Sequence, residues 1–204
     1  MLDSNSIDLK REIRELKKLT GKERGEDIKY LINYVRQKKG SDGLDKVIAK
    51  LKKNGYKLPD IDKIDNMDWI PISLVNIFFI AAVKIFYLQE EDILEMGKDA
   101  LSFKKLLRFY IKYFVSVEKT FKIAAGNWRK HYSFGEVETS DYDAKKKTIK
   151  LTLRNFKTHP FTCIYLMGVF SKVAEMVTGN KKIIAQETKC IFKGDSSHEF
   201  TFNW

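Results

Sequence analysis

The sequence predicts an α+β protein in which a helical first part packs on an antiparallel sheet of two β-hairpins separated by a helix. Apolar residues recur every three or four positions through residues 1–126, which is typical of amphipathic helices. After residue 127 a period of two appears, as in Ile149, Leu151 and Leu153. Because 44% of the 204 residues are hydrophobic, one integrated domain with a core is expected.

Six helices are expected in the first part, and most of them have an identifiable start or stop signal. Gly40 and Gly55 follow the second and third helices. Pro71 lies in the first turn of the fourth helix. Gly97 is expected to end the fifth helix and Gly126 the sixth. The predicted ranges are 6–19, 23–39, 42–54, 70–87, 90–96 and 102–125.

The second part, residues 127–204, is expected to run hairpin, helix, hairpin. Thr158 or His159 caps the helix, and Gly179 closes it. The second hairpin turns through a polar loop that contains a Gly-Asp pair. The predicted strands are 132–139, about 149–153, 183–192 and 198–204, with the first turn near Asp141 and Asp143.

Charge, cysteine content and hydropathy indicate a cytoplasmic protein. The net charge is +11, but lysines are spread along the whole chain, which is typical of a solvated lysine-rich surface. Two cysteines do not make a disulfide framework. The longest uncharged apolar run, Ile70–Val83, is shorter than the roughly 20 residues of a membrane span. No transmembrane segment or secretory leader is therefore expected.

Two segments of the second part resemble a known family. Residues 159–168 form a predicted helix that carries Cys163. Residues 187–200 contain a cysteine-bearing strand, a Gly-Asp turn and a His-Glu-Phe strand. Together they resemble the signature of 4-vinyl-reductase-type domains. TRAPP-type trafficking subunits and the sensor domains of phenol- and xylene-responsive bacterial activators share the fold of that family.

The helical part also resembles haem-nitric-oxide-binding proteins, over residues 43–47 and 91–97. These proteins belong with the vinyl-reductase-type domains in a superfamily of NO-signalling and Golgi-transport ligand-binding domains. The sequence departs from a haem protein because its first histidine is His131. A proximal histidine from the helical part is therefore missing, and a b-type haem is not expected.

The resemblance implies an apolar pocket that holds an aromatic effector, an acyl chain or a tetrapyrrole. The chain is then expected to be a non-catalytic sensor or regulatory protein, a homodimer acting through a separate partner. The alternative is a dimeric scaffold or adaptor of the same fold. Several candidate pocket residues are aromatic, and ordinary sheet core is the competing interpretation for them. The candidates are Trp128, Cys163, Tyr165, Met167, Phe170, Phe192, Phe200, Phe202 and Trp204.

The phenol-sensor branch of the resemblance further implies a zinc site formed by Cys163, Glu187, Cys190 and His198. Histidine replaces the last cysteine of that branch, and zinc accepts either ligand. Cys190 and His198 flank the hairpin turn and are expected on one face. Glu187 lies three residues before Cys190, so an ideal strand would point it away and a β-bulge is needed. The alternatives are buried thiols without metal, or a reactive or acylated cysteine.

Motifs for catalysis and nucleic-acid binding are weak or absent in the sequence. No glycine-rich phosphate loop, His-Glu-x-x-His motif or Gly-x-Ser-x-Gly motif occurs, so the chain is not expected to be an enzyme. A basic stretch near the N-terminus is the candidate nucleic-acid interface. Its residues fall on several helix faces, which favours a solvated helix. They are Lys10, Arg11, Arg14, Lys17, Lys18, Lys22 and Arg24.

Overall fold

A computed structural model describes residues 3–103 and 117–204 and shows the predicted α+β class. The chain divides into two compact units, Met1–Ile93 and Leu94–Trp204. The sequence predicts the change from helical to strand periodicity near residue 126. In the structure, this residue lies inside a helix of the second unit.

The first unit is mainly helical, with α1 (Leu9–Leu16), α2 (Gly25–Lys53) and α3 (Ile72–Phe86). It also holds a two-stranded antiparallel sheet that pairs β1 (Lys22–Arg24) with β2 (Trp69–Pro71). The sequence did not predict this sheet and assigned residues 70–71 to a helix. Three-residue strands are too short to show a period of two, so no pattern revealed them.

The helices predicted over 23–39 and 42–54 form one continuous stretch, α2, which is interrupted at Gly40. Gly40 has φ 72° and ψ 179°, a backbone conformation that favours glycine. The predicted break is therefore confirmed, although the chain returns to helix directly after it. The next helix, α3, is buried on nearly every side, and its buried Asn76 donates from Nδ2 to the carbonyl oxygen of Ile72 (3.0 Å).

Two helices run through glycines that were expected to end them. Helix α4 spans Glu90–Phe103 and includes Gly97, and α5 spans Val117–His131 and includes Gly126. A Cβ on Gly97 would lie 2.0 Å from the carbonyl oxygen of Tyr165, so this glycine permits a close helix contact. The part of the predicted 102–125 helix over residues 104–116 lies outside the described residues.

The second unit contains a four-stranded antiparallel sheet of order β3-β4-β6-β5, and the hairpin–helix–hairpin order is confirmed. The first turn lies at residues 144–147, later than expected, because Asp141 and Asp143 belong to β3. The register of β3 shifts between Ser140 and Asp143, which lengthens the strand. The strands are β3 (Glu136–Asp143), β4 (Thr148–Arg154), β5 (Ile184–Lys189) and β6 (His198–Asn203).

Helix α6 (Pro160–Thr178) lies between the two hairpins in sequence and packs against the sheet. His159 is its N-cap, as predicted, and Gly179 ends it in the left-handed conformation. The Phe170 and Phe200 rings lie 6.0 Å apart between α6 and β6. Among the described residues, α6 is the helix long and apolar enough to cross a membrane, yet residues such as Leu166 and Ala174 are buried in this unit.

The N-cap of α6 is expected to make the free energy of unfolding depend on pH. Nδ1 of His159 accepts the backbone N–H of Phe161 (3.2 Å), and burial lowers the pKa of His159 to about 4. The unfolded chain, with a histidine pKa of about 6.5, therefore takes up the proton first as the pH falls. Stability is expected to be lost between about pH 6.5 and 4, by about 2–3 kcal/mol in total.

A comparison with His159→Asn isolates this effect, because asparagine also caps helices but does not titrate. Urea unfolding from pH 7 to pH 4 should show the wild type losing more stability than the variant. Parallel curves for the wild type and His159→Asn would contradict the prediction.

Candidate metal centre

Four side chains of the second unit meet at one point. The ligand atoms of Cys163, Glu187, Cys190 and His198 lie within 4.8 Å of one another. Nδ1 of His198 is 3.0 Å from Oε1 of Glu187 and 3.6 Å from Sγ of Cys163. The structure thus brings together the four residues that the sequence analysis singled out, while the metal remains a prediction.

A register shift in β5 allows Glu187 and Cys190 to face the same side. Glu187 pairs with Phe200 and Lys189 pairs with Glu199, so β5 holds one extra residue, Thr188, opposite β6. This irregularity is the bulge that the Glu-x-x-Cys spacing required. The Thr188 hydroxyl donates to Oε1 of Glu199 (2.7 Å), which ties the extra residue to β6.

The loop between β5 and β6 holds the backbone of Cys190 in place. Oδ2 of Asp195 accepts the N–H of Cys190 (2.8 Å), and the Cys190 carbonyl accepts from the N–H groups of Lys193 (2.8 Å) and Asp195 (3.2 Å). The sequence predicts the Gly-Asp turn, but no pattern in it indicates this role of Asp195.

Hydrogen bonding fixes the orientation of the His198 ring. Nε2 lies 2.9 Å from the carbonyl oxygen of Phe156. A carbonyl only accepts, so Nε2 carries the hydrogen and Nδ1 can present its lone pair to the cluster. That lone pair and the Glu187 carboxylate are both acceptors, so a proton or a metal cation must stand between them. Metal-binding histidines commonly donate their second N–H to a backbone carbonyl.

Burial dominates the chemistry of the two thiols. It raises the pKa of Cys163 strongly, and the neighbouring Glu187 and Cys190 raise it further. Burial also raises the pKa of Cys190, while the N–H of Phe192 lowers it. Without a cation, both thiols therefore stay protonated at neutral pH. Two sulfurs, one imidazole nitrogen and one carboxylate oxygen make a donor set that suits tetrahedral zinc.

The candidate pocket residues all lie in the second unit. Phe200 and Phe202 are fully buried on the same face as His198, which confirms the predicted alternation. Trp128 is buried, and its Nε1 donates to the carbonyl oxygen of Phe134 (2.9 Å), so its single N–H serves the helix–strand junction. A ligand pocket among these residues stays a prediction. Cys163 and Phe170 are also buried, while Tyr165, Met167, Phe192 and Trp204 are half-buried.

Comparisons with known proteins identify solved structures that share this fold. No protein-family model matches the chain, and no curated protein matches it. Solved structures do match the chain, and the three that follow are H-NOX proteins. A variant of the T. tengcongensis H-NOX protein has a TM-score of 0.63 at 14% identity, covering 88% of this chain and 96% of that one. The S. oneidensis H-NOX protein in its Fe(II)NO ligation state has a TM-score of 0.61 at 11% identity, covering 88% and 98%.

A third neighbour is an oxygen-binding H-NOX domain related to soluble guanylate cyclases. Its TM-score is 0.61 at 13% identity, and the alignment covers 88% of this chain and 94% of that one. At such identities the likeness defines the fold, so this chain has an H-NOX-type fold. The resemblance of its helical part to haem-nitric-oxide-binding proteins is thereby confirmed at the level of fold.

The donors of this chain do not fit a haem held by histidine or cysteine in the helical part. Residues 1–130 contain neither residue type. Of the histidines that follow, His198 has one ring nitrogen on the Phe156 carbonyl and the other in the cluster. His159 uses Nδ1 to cap α6. Both cysteines and one of the three histidines lie in the cluster, where their donor atoms suit a metal ion.

Proposed function

We propose that this chain is a non-catalytic regulatory protein that binds a small hydrophobic molecule and reports the binding to a separate partner. In this proposal the second unit is a 4-vinyl-reductase-type domain with a zinc centre of Cys163, Glu187, Cys190 and His198. The convergence of these four donors carries the proposal, because their spacing resembles that of the phenol-sensor branch. The H-NOX-type fold over nearly the whole chain supports it, since the S. oneidensis neighbour is ligated by nitric oxide and the cyclase-related neighbour binds oxygen.

The proposed metal centre has a structural role. Four protein ligands close the coordination sphere, as in structural zinc sites. Cys163 belongs to α6, whereas the other three ligands belong to the β5–β6 hairpin. A bound metal would therefore fasten the hairpin to the helix, and the aromatic side chains Phe170 and Phe200 meet between the same two elements.

Native mass spectrometry of the full chain with three probes tests the proposed ligand binding. The probes are phenol, palmitate and protoporphyrin IX, which represent an aromatic effector, an acyl chain and a tetrapyrrole. One of them is expected to give a one-to-one complex, and the protein is expected to be a dimer. The buried Phe170→Leu should weaken that complex, whereas Ile123→Leu, at an exposed position of α5, should not. A mass unchanged by all three probes would refute the ligand-binding role.

Metal affinity is expected to rise with pH between about pH 6 and 8. The reason is that the pKa of each thiol is raised, so both sulfurs must lose a proton when the metal binds. Isothermal titration calorimetry with zinc, in buffers of different ionisation enthalpy, counts the protons released. Release of about two protons per zinc agrees with ligation by both cysteines. Zinc binding without proton release would show that the thiols are not ligands.

A further inference from the structure

We propose that Glu187 is an exchangeable ligand of the metal centre and that a small thiolate can take its place. This inference rests on the proposed metal centre and gives it a second function, as a binding site for a low-molecular-weight thiol. It starts from a difference between Glu187 and the other three donors in burial, anchoring and chemistry.

Burial separates Glu187 from the other donors. The side chain of Glu187 is 16% exposed, against 2% for His198. Cys163 and Cys190 are 6% and 4% exposed as whole residues. The cluster is therefore least buried on the side of Glu187, where β5 forms an edge of the sheet.

The four donors also differ in how firmly their side chains are held in place. Cys163 is fixed within α6, the backbone of Cys190 is held by Asp195, and the ring of His198 is held by the Phe156 carbonyl. Glu187 is attached to β5 through a longer, flexible side chain. Because Thr188 keeps the bulge bonded to Glu199, the carboxylate can swing outward while the strand stays paired.

The chemistry of the remaining donors selects the incoming ligand. Two cysteine sulfurs and an imidazole favour a zinc-like metal, which binds a third thiolate more readily than a carboxylate. A thiolate carries the same charge as the carboxylate, so the exchange leaves the net charge of the buried site unchanged. The lost carboxylate is solvated at the edge of β5, and the proton of an incoming thiol passes to water. Lys193, on an exposed position of the β5–β6 loop, favours the approach of an anion, whereas Lys189 already pairs with Glu199.

Cobalt substitution makes the exchange visible. The full chain is loaded with Co(II) and titrated with 2-mercaptoethanol while its visible and near-ultraviolet spectrum is recorded. The sulfur-to-cobalt charge-transfer band is expected to grow by about half, as two thiolate ligands become three. Glu187→Ala should bind the thiol at least about 10-fold more tightly because no carboxylate competes. Glu138→Gln, which alters an exposed carboxylate of β3, should behave like the wild type.

Three other results would contradict the proposed exchange. An unchanged spectrum in the wild type and in Glu187→Ala at millimolar thiol overturns the exchange but leaves the metal centre intact. Loss of the cobalt spectrum overturns it too, because the thiol then removes the metal instead of replacing one ligand. A chain that takes up no Co(II) refutes the metal centre and this inference with it. If Glu187→Ala does not fold, Glu187→Gln takes its place in the titration.

Discussion

Replacement of His198 by alanine is expected to abolish metal binding and to lower the free energy of unfolding by about 4 kcal/mol even without metal. His198 is 1% exposed, and its removal leaves a cavity beside Phe200. The carbonyl oxygen of Phe156 loses its bond to Nε2 and stays buried. The Glu187 carboxylate also loses its partner at 3.0 Å.

Guanidinium unfolding with zinc and with a chelator separates these contributions. The chelator should destabilise the wild type and leave His198→Ala unchanged, since that variant has no metal to lose. Glu138→Ala, on β3 of the same sheet, removes an exposed carboxylate and should cost less than about 1 kcal/mol. If the chelator has no effect on the wild type, the cluster is a buried hydrogen-bonded group of thiols, histidine and glutamate without a metal.

The cluster of the four candidate ligands shows how far a sequence can predict a site. The resemblance to the phenol-sensor branch implied its four members, and the bulge near Thr188 followed from the requirement that Glu187 and Cys190 share a face. The Phe156 carbonyl could not be predicted, because any residue at that position offers the same backbone oxygen. The role of Asp195 depends on the turn geometry, which brings its carboxylate to the Cys190 N–H.

The fold shows the same division between local and non-local information. Glycines that end helices and glycines that permit close contacts look alike in sequence, so Gly97 was misread as a stop signal. The pairing of β1 with β2 joins two three-residue segments far apart in sequence, and neither is long enough to show a pattern. The caps of α6, at His159 and Gly179, depend only on neighbouring residues and were predicted correctly.

The largest backbone effect is expected for Gly168→Ala, at the close contact between α4 and α6 within the second unit. A Cβ on Gly168 would lie 2.1 Å from the carbonyl oxygen of Leu94, and one on Gly97 would lie 2.0 Å from that of Tyr165. Neither neighbour is a flexible side chain that can turn away. The helices would have to separate by about 1 Å or more, which disturbs their packing along the contact.

Each of Gly97→Ala and Gly168→Ala is therefore expected to cost about 3–5 kcal/mol in chemical unfolding. Gly126→Ala is the matched control, because Gly126 lies exposed in α5 and a Cβ there would meet no atom of the described residues within 4 Å. That variant should gain about 0.5–1 kcal/mol, since alanine is the better helix former. Opposite signs for the same substitution would show that contact, and not helix propensity, sets the requirement for glycine. A loss below about 1 kcal/mol for both Gly97→Ala and Gly168→Ala would mean that the helices do not cross this closely.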